Sequence, residues 1–86
     1  MVEKAFVVKN ETGLHARPAS LFVQKAAKYK STIKLKKENK EANAKSIISV
    51  LSLGASKGSE ILICADGEDE QDAVNGLVEL LDNLEE

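Results

Sequence analysis

Four consecutive positions, His15-Ala16-Arg17-Pro18, hold the only histidine, the only arginine and the only proline of an 86-residue chain. Each of the three brings its own chemistry. An imidazole works as an acid or base, as a metal ligand, or as a nucleophile that itself accepts a group. Arg17 adds a permanent positive charge and a forked set of donors suited to phosphate. Pro18 is tolerated only in the first turn of a helix, where its missing N–H is no loss. A helix must therefore begin within a residue or two of His15, with the first amides, those of Ala16 and Arg17, free of intrahelical partners and turned towards the imidazole. Such a terminus attracts anions.

The three uses of the histidine ask for different neighbours. General acid–base catalysis wants a second catalytic group and a pocket, and no Ser-His-Asp arrangement stands at a recognisable spacing. A metal wants more ligands than one histidine and the single Cys64 supply, so no metal site is expected. An imidazole nitrogen carrying phosphate uses every neighbour: three anionic oxygens would meet the free amides and Arg17, each charge-assisted hydrogen bond contributing roughly 1–3 kcal/mol. On spacing alone the plainer alternative stays open, that His15 caps the helix or simply sits on the surface.

The elements that must position this cluster follow from periodicity. Val2 to Lys9 reads as a strand and Asn10 to Gly13 as a turn. From Pro18 to about Lys28, Ala19, Phe22, Val23 and Ala26 fall at i, i+3, i+4 and i+7, which marks an amphipathic helix. Ser31 to Lys36 alternates and forms a hairpin with a short strand near Glu41 to Ala44. Ser46 caps a short helix in which Ile47, Val50 and Leu51 share a face, and Gly54 ends it. Glu60 to Ala65 carries a continuous apolar run, Ile61 to Cys64, that suggests a central strand and makes Cys64 a small core hydrophobe. Ala73, Val74, Leu77, Leu81 and Leu84 line a final helix, with Gly76 an interior blemish worth about 1 kcal/mol against Ala.

The order βαββαβα fits an α+β fold. Strands one and two run parallel across a gap that the fourth strand fills in antiparallel sense, giving a four-stranded sheet ordered 1-4-2-3 with three helices on one face. Residues 1–86 make one domain, with 43% hydrophobic and 30% charged residues and no linker or repeat. There is no signal-like N-terminus and no run long enough to cross a membrane, so a cytoplasmic protein without membrane insertion is expected. The net charge of −2 conceals a division. All twelve Lys and Arg lie between Lys4 and Lys57, and Asp66 to Glu86 holds nine acids and no base. Solvated faces account for this, while the basic body suits an acidic protein or a phosphate-bearing ligand. Nucleic acid is a poor fit: the only aromatics are Phe6, Phe22 and Tyr29, and at least two of these belong to a core.

TGLHARPAS, residues 12–20, together with KSIISVLSLG, residues 45–54, resembles the HPr family, the histidine-containing phosphocarriers of the bacterial phosphoenolpyruvate-dependent sugar phosphotransferase system. The likeness extends over essentially the whole chain. It implies an open-faced β-sandwich, and it implies that His15 accepts a phosphoryl group on Nδ1 from phosphorylated enzyme I and passes it to enzyme IIA proteins, with Arg17 assisting. Ala16, Pro18 and Thr12 are then expected to orient the phosphate. On this reading the chain is no enzyme but a carrier acting as a co-substrate, needs no cofactor and works as a monomer. His15 also separates it from the catabolite-repression homologue of HPr, which lacks that histidine.

The same resemblance gives Ser46 a second meaning. In HPr of low-GC Gram-positive bacteria the matching serine is phosphorylated by HPr kinase/phosphorylase, and catabolite control protein A is a further expected partner. Ile48 and Ser49 depart from the frequent methionine and glycine. Leu14, Ser20, Ile47, Ile48 and Leu51 are expected to supply a docking surface, with an exposed apolar patch of Ile48 and Leu14 beside the histidine. A purely regulatory binding module, acting through Ser46 and this patch without phosphoryl relay, is the alternative.

Overall fold

A computed structural model describes residues 1–9, 11, 13–14 and 16–84. In chain order these form β1 (Val2–Val7), α1 (Ala16–Ala26), β2 (Thr32–Lys37), β3 (Lys40–Asn43), α2 (Ile47–Leu53), β4 (Glu60–Asp66) and α3 (Glu70–Asp82). The strands make one sheet ordered β1-β4-β2-β3, with every neighbouring pair antiparallel. Phe6 faces Ile61 across β1 and β4, and Leu35 faces Ile63 across β2 and β4. That register puts alternate residues of each strand on one side, where Phe6, Ile33, Leu35, Ile61, Ile63 and Ala65 join the buried faces of the helices.

The helices sit where their apolar stripes direct them. α1 buries Pro18, Ala19, Phe22 and Ala26, and α3 buries Ala73, Val74, Leu77 and Leu81, with Leu84 packed at its margin. α2 differs from its sequence reading. It buries Val50 and Leu53, leaving Ile47 and Leu51 over a third exposed. Seven residues make barely two turns, so two inward positions suffice to hold the helix and the other apolar residues face outwards.

Two further expectations change for physical reasons. Cys64 is buried but stands outside the core cluster. Ile61, Ile63 and Ala65 point to the helices, so Leu62 and Cys64 fall on the opposite, uncovered face of β4. There the Cys64 thiol lies 3.6 Å from Glu3 Oε2, and burial followed by the Glu3 charge raises its pKa. Gly76 keeps its propensity cost but also makes room for a neighbour. A Cβ there would run into the hydroxyl of Tyr29, whose ring packs against the core from the end of α1.

Asp69, at the N-terminus of α3, makes no cap hydrogen bond within its own helix. Its carboxylate instead accepts the N–H groups of Lys30 and Ser31 at 2.8 and 2.9 Å and the hydroxyl of Ser31 at 2.5 Å. The loop from α1 into β2 is thereby fastened to α3, and the Ser31 hydroxyl first and the Lys30 amide next hold the Asp69 pKa below the ordinary carboxylate value.

Candidate functional site

The segment leading into residue 15 is held by the loop that follows α2. Val8 N–H donates to Ser59 O at 2.9 Å and Gly58 N–H to Val8 O at 2.8 Å. Lys57 Nζ pairs with Glu11 Oε1 at 2.7 Å, and this hydrogen bond and charge lower the Glu11 pKa. Leu14 N–H donates to Ala55 O at 2.9 Å. Gly13 makes the approach close enough: its φ is 65°, and a Cβ would collide with the Ala55 carbonyl and stand 2.7 Å from Ser56 Cα. The far end of α2 is prepared for this contact by Gly54, whose φ of 70° turns the chain out of the helix with its N–H on Leu51 O.

Thr12 and His15 lie outside the described residues, so the structure speaks for their neighbours. α1 starts at Ala16, immediately after His15 and two residues ahead of Pro18. Pro18 is buried within the first turn, where its missing N–H removes no helical bond. Ala16 holds a φ of 27°, a value L-residues seldom adopt, directly after the histidine. Arg17 is exposed, and its guanidinium has no ion pair among the described residues. Free amides at the start of α1 and an uncommitted guanidinium one residue further on form a place able to hold an anionic group beside residue 15.

Ser46 is the N-cap of α2, half-buried, with φ −118° and ψ 117°, and its Oγ accepts the Ser49 N–H at 3.4 Å. Ser46 thus stands at one end of α2 and the Ala55 contact with Leu14 at the other.

The residues expected to dock partners separate into two groups. Leu14 is 1% exposed and belongs to the core cluster, so it cannot form an apolar surface patch. The bond to Ala55 turns it inwards. Ile48 is 74% exposed, and Ile47 and Leu51 flank it on the outer side of α2. Ser20 is half-buried on α1 and accepts a hydrogen bond from Gln24 Nε2 at 3.2 Å. Leu21, which the sequence reading passes over, is also exposed. Arg17, Ser20, Leu21 and Gln24 follow the i, i+3, i+4, i+7 spacing of one outward strip on α1. The signal was present in the sequence, since Leu21 falls off the Ala19-Phe22-Val23-Ala26 stripe. The partner of Gly13, forty-two positions further along the chain at Ala55, had none.

Comparison with known proteins agrees with this arrangement. The family model for the PTS HPr component phosphorylation site matches residues 2–83. The phosphocarrier protein HPr of Borreliella burgdorferi is 43% identical over 86 residues, the full length of both chains. Among solved structures, HPr-C-His from Thermoanaerobacter tengcongensis superposes with a TM-score of 0.93 at 50% identity, covering 95% of this chain and 92% of that one. An HPr dimer from the same organism gives a TM-score of 0.77 at 50% identity over 95% and 94% of the two chains. Sequence, fold and the layout around residue 15 thus lead to one conclusion: the chain belongs to the HPr family, the phosphocarrier proteins of the phosphotransferase system.

Proposed function

We propose that His15 carries the phosphoryl group, receiving it from phosphorylated enzyme I and delivering it to enzyme IIA proteins in sugar uptake. The observation that carries this reading is the start of α1 at Ala16 with an exposed Arg17 that has no ion pair among the described residues. In the receiving step the Nδ1 lone pair of a neutral imidazole forms a P–N bond while the donor's bond to phosphorus breaks. The amides of Ala16 and Arg17 and the Arg17 guanidinium neutralise the oxygens of the group throughout. Transfer onward reverses the sequence, so the protein emerges unchanged and acts as a co-substrate of its partners. The outward strip of α1 and the exposed Ile47, Ile48 and Leu51 of α2 supply the surface through which enzyme I and enzyme IIA dock in turn.

Ser46 is the regulatory position, open to an HPr kinase/phosphorylase, and its phosphorylated form is the one catabolite control protein A would take. Phosphate there keeps an oxygen available to the Ser49 amide, so the cap survives while the surface gains about −1.5 to −2 of charge. The carrier works in the cytoplasm and as a monomer, because one face must serve successive partners; sedimentation at working concentration distinguishes this from a dimer of the kind solved for the T. tengcongensis protein.

The relay is tested with labelled phosphoenolpyruvate, enzyme I and an enzyme IIA. Label should reach enzyme IIA only when this chain is present. Label that stays on the chain, or reaches enzyme IIA without it, would contradict the carrier role.

A further inference from the structure

At the opposite end of α1 from Arg17, the structure holds a cavity of about 350 Å³ between the α1–β2 loop and the β2–β3 edge of the sheet. The eleven residues of α1 put roughly 16 Å of helix between the cavity's end of α1 and its start. Ile33 and Ala42 are its apolar lining, and three lysines, Lys30, Lys34 and Lys45, line it with one acidic residue, Glu41. Thr32 and Asn43 add a hydroxyl and an amide to the lining.

Its walls are fixed in advance. The Asp69 carboxylate holds the Lys30 and Ser31 amides on one side. On the other, the Lys45 amide donates to Asn43 Oδ1 at 2.9 Å, and Lys45 Nζ donates to Tyr29 O at 2.7 Å. That bond positions the Lys45 ammonium yet leaves two of its three N–H donors available. The Lys30 ammonium has no acid partner among the described residues, and Lys34 meets Glu41 only at 3.5 Å in an exposed pair. Of the neighbouring acids, Asp69 is engaged by the loop, while Asp66, opposite Thr32, is exposed and lies outside the lining.

We infer that this cavity is a binding site for a small organic polyanion, separate from the phosphoryl site. Point charges on lysine stems, with no arginine fork, set total negative charge as the main requirement. Phosphate esters and polycarboxylates share that chemistry, and the volume lies within the range of small-molecule sites.

The test is an amide NMR titration of the full chain with pyrophosphate and, separately, with citrate. Saturable shifts at residues 30–34 and 41–45 are expected for at least one anion, weakening as salt rises. Saturation by only one of the two tells phosphate from carboxylate recognition. Lys30→Gln, whose side chain makes no fixed contact, should fold as the wild type and weaken binding by about tenfold. Lys37→Gln, outside the cavity, should leave it unchanged. Shifts that never saturate, that centre on Arg17, or that weaken equally in Lys30→Gln and Lys37→Gln would overturn the inference.

Discussion

Replacing Gly13 by alanine tests the strap that aims the chain into residue 15, because the same substitution at Gly54 supplies an internal reference. Both glycines adopt left-handed backbone, at φ 65° and 70°, which costs an alanine roughly 1–2 kcal/mol. Among the described residues nothing lies within 4 Å of a Cβ added at Gly54, so Gly54→Ala should lose roughly those 1–2 kcal/mol and no more. At Gly13 the new methyl meets the Ala55 carbonyl and Ser56 Cα, backbone atoms that cannot swing aside. Relief requires opening the strap, which breaks the Leu14 to Ala55 hydrogen bond, worth about 1 kcal/mol, and uncovers part of Leu14. A fully buried leucine contributes roughly 1.5–3 kcal/mol. The sum for Gly13→Ala is about 3 kcal/mol, or a fall of some 12–24 °C in Tm for a domain of this size. Urea unfolding followed by far-ultraviolet circular dichroism measures both variants, and the folded fraction of Gly13→Ala should also take phosphate from enzyme I more slowly. Equal losses for the two variants would refute the close approach at Gly13 and with it the strap.

Gly76→Ala presents the opposite case, since its obstacle is the tip of a half-buried tyrosine: the Tyr29 ring should shift in NMR spectra while stability stays within about 1 kcal/mol, helix propensity offsetting the displaced packing. The Asp69 clamp predicts an acid limb. Its pKa is depressed in the folded state, so its stabilisation is complete above the unfolded value of about 3.9 and is lost as pH falls through the lower folded value. Asp69→Asn should therefore be less stable than wild type near neutral pH and converge with it in acid; a gap constant with pH would contradict the clamp. Arg17→Ala should slow transfer from enzyme I far more than it changes stability, which should move by no more than about 0.5 kcal/mol, and Arg17→Lys should recover only part of the rate. Ser46→Asp should remain folded yet accept phosphate more slowly, with the deficit shrinking at high salt; wild-type rates at both salts would leave Ser46 as a cap alone.

Much of this architecture could be read from residue order. Phe22 and Ala26 announce α1 by their spacing, Ile33 and Leu35 announce β2 by alternation, and Pro18 locates the start of α1 to within two residues. The parallel placement of β1 and β2 with β4 between them follows from handedness and short connections. Errors arose where a local pattern needed a distant partner to interpret it. The apolar run at Ile61 to Cys64 marks β4 as a central strand, and it lies between β1 and β2, but the helices cover one face of the sheet and Cys64 falls on the other. Leu14 resembles a surface anchor beside a histidine until Ala55, far along the chain, draws it inwards. Gly76 counts as a helix defect on propensity alone, and only the seat of Tyr29 gives it a purpose. The start of α1 at residues 16–18 was legible because helix-start geometry is local; the loop that steadies the segment before it was not.

Phosphoryl transfer to His15 can be read by intact-mass measurement after incubating the chain with enzyme I and phosphoenolpyruvate. The chain should gain one phosphate, lost on brief acid treatment as a phosphoramidate would be, mapped to His15, and absent in a folded His15→Ala variant. An acid-stable phosphate, or any phosphate gained by His15→Ala under the same conditions, would contradict transfer to His15.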